Sequence, residues 1–311
     1  MVELSLIVPV LNETETVGLF LDRTCELFND HASIHLEIVF VNDGSTDGTL
    51  QVLLDRQRAD TRIRVVDLSR NFGKEAALTA GLDAARGQVV VPIDVDLQDP
   101  PELILTMIGL WRQGYDVVQA RRVDRSFDSL SKRLSASWFY RLHNWIAEPK
   151  LPDNVGDFRL MDRAVVQALK ALPESRRFMK GLFEWVGFRN TVLDYVRLPR
   201  AAGVSKFKAW RLWNFALDGL TSFSIAPLRI WAYVGVTVAG LSILYGIFIA
   251  IRALLYGVET PGFASLFVAV TFLGGVQLIG IGVIGEYLGR AYLETKRRPV
   301  YLIRRIYERE P

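Results

Sequence analysis

The sequence predicts an α/β protein: a doubly wound, mostly parallel sheet, followed by juxtamembrane amphipathic helices and two transmembrane helices. Three observations predict it. Strand-like and helix-like runs alternate over residues 1–122, acids and amides follow the strand-like runs, and two long charge-free apolar runs lie after residue 229.

The β-rich runs are residues 4–10, 36–41, 63–68, 89–93 and 116–120, and amphipathic stretches at about 15–28, 49–58, 74–85 and 101–112 separate them. Alternation at this spacing implies parallel strands joined by right-handed crossovers. Ligands of such sheets bind beyond the carboxyl ends of the strands. The chemically informative residues stand there. Asn12 and Glu13 follow the first run, Asn42-Asp43-Gly44-Ser45 ends the second, and Asp94-Val95-Asp96 follows the fourth.

Residues 230–251 and 263–285 contain no charged side chain. A helix needs about 20 residues to cross a hydrocarbon layer of about 30 Å, and both runs exceed that. Half of the chain is apolar and its mean hydropathy is +0.20, an excess collected in these runs. No signal-like segment precedes the first strand, so residues 1–205 are expected to stay in the cytosol. The single cysteine, Cys25, excludes an intramolecular disulfide and fits a reducing compartment.

The pI near 9.0 arises largely beside the membrane. Arg197, Arg200, Lys206, Lys208, Arg211 and Arg229 precede the first span, and Lys296, Arg297, Arg298, Arg304 and Arg305 follow the second. The connection carries only Arg252 at its edge and Glu259. The positive-inside bias places both flanks in the cytoplasm and residues 256–262 outside. Basic charge in this position favours anionic headgroups over nucleic acid. The expected division is therefore a catalytic domain at 1–205, amphipathic helices at 206–229, a hairpin at 230–289 and a cytoplasmic tail at 290–311. Trp210, Trp213, Phe215, Leu217 and Leu220 fit a helix lying on the membrane surface or a core-packing stripe. Gly285 and Gly289 form a Gly-x-x-x-Gly, which predicts close packing on the first span or on a second copy, a homo-oligomer.

Carboxylate oxygens at Asp94 and Asp96 suit Mg²⁺ or Mn²⁺ bridging to a diphosphate, or contact with sugar hydroxyls. Asn42 to Asp47 reads as a turn into a helix capped by Ser45, Thr46 or Asp47. Asp43 is surplus to that turn and could accept from the N–H edge of a pyrimidine. No Gly-x-Gly-x-x-Gly follows a strand-like run, the one at 280–285 lying inside the second apolar run, and the phosphate-loop pattern does not occur, which leaves a dinucleotide oxidoreductase and a P-loop NTPase unsupported.

Four segments then stand in a familiar order: Val8-Pro9-Val10-Leu11-Asn12-Glu13, Val41 to Asp47, Ser69-Arg70-Asn71-Phe72-Gly73-Lys74, and Asp94 to Pro100. Together they resemble glycosyltransferase family 2 with its GT-A fold. Gly156 to Met161 and Ala202-Gly203-Val204-Ser205-Lys206-Phe207 narrow the resemblance to the polyprenyl-phosphate glycosyltransferases, the bactoprenol glucosyltransferase branch, with dolichol-phosphate mannose synthase more distant. Phe207 departs from the Tyr usual in the family. The resemblance covers essentially the whole chain. It implies that Pro9, Glu13, Asp43 and Asp94 contact the nucleotide, that Asp96 holds the metal, that Gln98 lies beside the sugar phosphate, and that Asp157 is catalytic. Arg122, Arg133, Arg200 and Lys206, with Ser137 and Ser205, become candidates to hold the lipid phosphate or the leaving diphosphate. The implied reaction is an inverting transfer of a hexose, glucose from UDP-glucose being favoured, onto undecaprenyl or another polyprenyl phosphate at the inner (plasma) membrane. A phosphate monoester is largely ionised at neutral pH, so Asp157 would orient the acceptor more than deprotonate it. A processive polysaccharide synthase would carry Gln-x-x-Arg-Trp, which is absent. A lipid-sugar flippase would leave Asp43, Asp94, Asp96 and Asp157 without a task.

Overall fold

The computed structural model describes residues 2–123, 150, 152, 154–175, 177–197, 224–257 and 262–308. They form two compact units, one holding the sheet and residues 298–308, the other the two long helices.

The sheet alternates as its sequence demands. β1 (Leu4–Val10), β2 (Leu36–Asn42), β3 (Ile63–Leu68) and β4 (Val89–Pro92) are separated by α1 (Thr14–Asn29), α2 (Thr49–Ala59) and α3 (Lys74–Ala84). α4 (Leu103–Arg112) leads to β5 (Val117–Arg122), and β6 (Val155–Asp162), α5 (Arg163–Ala171), α6 (Met179–Trp185) and β7 (Asn190–Tyr195) follow. β8 (Ile303–Tyr307) comes from the C-terminal end of the chain. The strand order is β7-β5-β6-β4-β1-β2-β3-β8. β1, β2, β3 and β4 pair in parallel, while β6 enters antiparallel between β4 and β5, and β8 runs antiparallel to β3. The sheet is thus mostly parallel, as expected, with two reversed strands that the alternation pattern did not announce. The segment read from sequence as a tail contributes the edge strand β8.

Every residue of β2 is buried, as a strand covered on both faces must be. On one face Leu4, Leu6, Val8, Ile38 and Phe40 pack with Val17 and Phe20 of α1, Leu53 of α2 and Met107 of α4. On the other, Val39, Val41 and Val66 meet Ala77 and Ala80 of α3. α3 comes close because Gly81 has no side chain: a Cβ there would lie 2.1 Å from Ile7 Cγ2.

The second unit contains α7 (Ala226–Tyr256) and α8 (Phe263–Thr295). Both are long and apolar enough to cross a membrane. Within this unit a methyl on Gly280 would overlap the Trp231 indole, so that glycine admits the ring. Among the described residues, Gly285 and Gly289 have no such neighbour within 4 Å.

Candidate active site

The loops at the carboxyl ends of β1 to β4 are tied to one another by side chains. Asn12 turns the chain out of β1 with φ 56°, a left-handed conformation that Asn tolerates. Its Oδ1 accepts the Thr46 N–H at 2.8 Å, and its own N–H donates to Ser45 Oγ at 3.0 Å. The Glu13 N–H donates to Thr49 Oγ1 at 2.8 Å, while Glu13 Oε2 accepts from Thr16 Oγ1 at 2.9 Å. Asp47, just before the Gly48 N-cap of α2, accepts the Thr49 N–H at 3.0 Å and the Thr14 hydroxyl at 2.7 Å. Pro9 lies within β1, in register with Val41 of β2.

Asp43 is buried beneath the loop after β3. Its Oδ1 accepts the Phe72 N–H at 2.7 Å and its Oδ2 the Gly73 N–H at 2.9 Å. Burial raises its pKa, and the two N–H groups and Arg70 offset part of that. Gly44, at φ 67°, is required beside it, since a Cβ would sit 2.5 Å from both Arg70 C and Asn71 N.

β4 ends at Pro92, and Asp94, Val95 and Asp96 follow it as read from the sequence, with Val95 and Asp96 on a turn. Asp96 Oδ1 accepts the Gln98 N–H at 3.2 Å across Leu97, which sits at φ 56°. Strained backbone of this kind clusters at functional sites. Asp99, buried behind the turn, accepts the Tyr195 hydroxyl at 2.5 Å and lies 3.5 Å from Arg197. Burial pushes Asp99 up, and the Arg122 and Arg197 cations pull it partly back. Arg122 Nε donates to Tyr195 Oη at 3.2 Å, and its guanidinium faces Gly156. Arg122 also lines a cavity of about 400 Å³ with Arg121, Asn154 and Val192.

Opposite the turn lies a charge cluster. Lys74, the first residue of α3, places its Nζ 2.7 Å from Asp94 Oδ1 and 2.9 Å from Asp157 Oδ2. Its side chain is 38% exposed. Burial opposes its charge, but the Asp157 and Asp94 carboxylates outweigh burial and raise its pKa above the usual lysine range. Burial raises the pKa of Asp157, but Lys74, Lys180 and Arg159 together hold it well below the carboxylate range. Burial, helped by the Asp157 charge, pushes Glu75 up to about 7, while its Oε2 accepts the Met179 N–H at 2.9 Å. Arg159, two residues along β6 from Asp157, is buried, bonds Glu184 at 3.1 Å and the Gly156 carbonyl at 3.0 Å, and stacks 4.2 Å over Phe183.

The structure therefore gathers Asp94 and Asp157 around one cation and links Arg122 to Asp99 through Tyr195. Asp43 organises a loop, with both its oxygens engaged. Arg133, Ser137, Arg200, Ser205 and Lys206, with Trp210, Trp213, Phe215, Leu217 and Leu220, lie outside the described residues. Sequence reasoning missed Lys74, Glu75, Asp99, Tyr195 and Arg159 as site residues. Lys74 stood inside a quoted segment with no role attached.

A mixed sheet of this order, with acidic turns at the carboxyl ends of its parallel strands, defines a GT-A-type glycosyltransferase. The chain belongs to glycosyl transferase family 2, which residues 5–170 match; residues 226–291 match the GtrB C-terminal hairpin. It is 51% identical over 309 residues to the SfII prophage-derived bactoprenol glucosyl transferase of Shigella flexneri, covering 99% of this chain and 100% of that protein. It is 50% identical over 304 residues to the prophage bactoprenol glucosyl transferase homolog of Escherichia coli K12, covering 98% and 99%. Among solved structures it is similar to glucosyl-3-phosphoglycerate synthase from Mycobacterium tuberculosis in complex with Mn²⁺, UDP and phosphoglyceric acid. The TM-score is 0.53 at 20% identity, over 70% of this chain and 76% of that one, which supports the fold.

Proposed function

We propose that this chain transfers glucose from UDP-glucose onto the phosphate of a polyprenyl lipid, undecaprenyl phosphate, with inversion, at the cytoplasmic face of the plasma membrane. One observation carries the reading: the acidic cleft and the apolar hairpin occur in one chain that matches bactoprenol glucosyl transferases nearly end to end. The hairpin gives the cleft its acceptor, since a lipid phosphate stays at the bilayer surface and tethering shortens the search for it.

Glu13 and Asp94 take the nucleotide side, with Gln98 beside the sugar phosphate, and Asp43 acts there through the loop it organises. Asp157 takes the acceptor side. Held ionised by Lys74, it is a poor proton acceptor at neutral pH, so it orients an acceptor phosphate that is already ionised. Arg122 is a cation for the departing diphosphate or the incoming phosphate. The acids present fit a divalent cation: Mg²⁺ and Mn²⁺ sites of this kind use one or two carboxylates plus substrate phosphates, and Asp96 offers a part-exposed carboxylate on the turn. Bound by Asp96 and the donor, Mg²⁺ or Mn²⁺ would neutralise charge on the leaving diphosphate.

The topology follows from chain length as well as charge. Residues 296–302 alone separate α8 from β8, and at about 3.3–3.6 Å per residue they span about 25 Å, less than a hydrocarbon layer of about 30 Å. β8 belongs to the sheet, and this short link supports the reading that both flanks of the hairpin are cytoplasmic and its turn external. The open small-residue face at Gly285 and Gly289 supports pairing with a second copy.

A donor panel tests the reading. Purified protein given undecaprenyl phosphate should move label into the organic phase from UDP-glucose and far less from UDP-N-acetylglucosamine or GDP-mannose. Preference for another donor overturns glucose. Failure with every donor overturns the function.

A further inference from the structure

Lys74 is a cation at the wrong end of a helix. The N-terminus of α3 carries partial positive charge, which disfavours an ammonium there. Its position is supported instead by two carboxylates from different parts of the sheet, Asp94 after β4 and Asp157 within β6. Among the described residues it is the only hydrogen-bond donor to Asp157, whose Oδ1 is buried without a partner. Asp94, Glu75, Lys180 and Arg159 are the other charged groups around this pair. Without Lys74, Asp157 and Asp94 would face each other across the cleft with no cation in contact with both, and Glu75 would add a third like charge.

We propose that Lys74 is a positioning residue for glycosyl transfer: by bridging Asp94 and Asp157 it fixes the Asp157 carboxylate and couples the two sides of the cleft. The proposal rests on the reading that Asp94 serves the donor and Asp157 the acceptor. Lys74 itself moves no proton. It keeps one Asp157 oxygen in place and ionised, so that the acceptor phosphate meets an aligned carboxylate when the donor is seated.

The test uses full-length protein in nanodiscs with UDP-glucose and undecaprenyl phosphate, comparing wild type, Lys74→Met and Lys74→Arg. A charge-assisted hydrogen bond corresponds to roughly ten- to a hundredfold. Lys74→Met should lose about that factor in kcat, while UDP affinity by calorimetry stays close to wild type. Lys74→Arg, which keeps the charge, should recover part of the rate. An equal loss in UDP affinity and in kcat/KM would assign Lys74 to the donor diphosphate and overturn the proposal. Wild-type kcat in Lys74→Met would overturn it too. Should Lys74→Met not fold, Lys74→Arg decides: lowered kcat with unchanged UDP affinity supports positioning, and unchanged kcat contradicts it. Absence of transfer by wild type would instead sink the function proposed above.

Discussion

Asp43 and Gly73 are joined across the cleft floor: the Asp43 carboxylate accepts the Gly73 N–H at 2.9 Å and, on its other oxygen, the neighbouring Phe72 N–H at 2.7 Å. The acid at the end of β2 thereby shapes the loop that delivers Lys74. An amide in its place could accept only one of the two bonds and would turn an NH₂ toward an N–H. Asp43→Asn should cost about 1–3 kcal/mol of local order, seen as a five- to hundredfold loss of UDP affinity by calorimetry. Unchanged affinity with normal folding would show that the loop does not depend on this acid.

What the sequence disclosed, and what it hid, follows from burial and polarity. β1 and β2 read clearly because both faces are covered and their residues are apolar throughout. β6 carries Asp157 and Arg159 inside the protein, β7 alternates with an exposed face, and β8 is an exposed edge strand containing two arginines. None of these three makes an apolar run. Asp94 and Asp96 were legible as acids at a strand end. Lys74 was not, because a lysine opening a helix reads as solvated until its two carboxylate partners, 20 and 83 residues away, are folded onto it.

The last strand supports the same loop from the other side. Arg304 lies 3.4 Å from the buried Asp67 carboxylate and donates to the Ser69 carbonyl at 2.7 Å, and the Ser69 N–H donates to the Leu302 carbonyl at 2.9 Å. Arg304→Glu sets a like charge against Asp67 and should lower stability by about 1–3 kcal/mol, with weaker UDP binding alongside. A thermal midpoint equal to wild type would show that the edge pairing carries no weight.

Glu75 predicts a pH dependence of stability. Its pKa is raised from 4.5 to about 7, so between those values the native state keeps a proton that the unfolded chain releases. Stability from this group is present at low pH and is lost as pH rises through about 7. Glu75→Gln should match wild type near pH 5 and exceed it near pH 8, by at most about 3 kcal/mol. Thermal midpoints at both pH values check this. An equal gain at both would place the effect elsewhere.

Asp96 is expected to act through a divalent cation. Asp96→Ala should nearly abolish turnover, and EDTA should do the same to the intact protein, with Mn²⁺ or Mg²⁺ restoring it. Full transfer in chelator would refute metal assistance.

The central claim concerns the atom that receives the sugar. ³¹P NMR of undecaprenyl phosphate incubated with the purified protein and UDP-glucose reads that atom directly. The lipid's monoester resonance should be replaced by a phosphodiester resonance as UDP appears, and with Asp157→Asn the monoester resonance should persist. A monoester signal that stays constant while UDP-glucose is hydrolysed to UDP and free glucose would contradict the account.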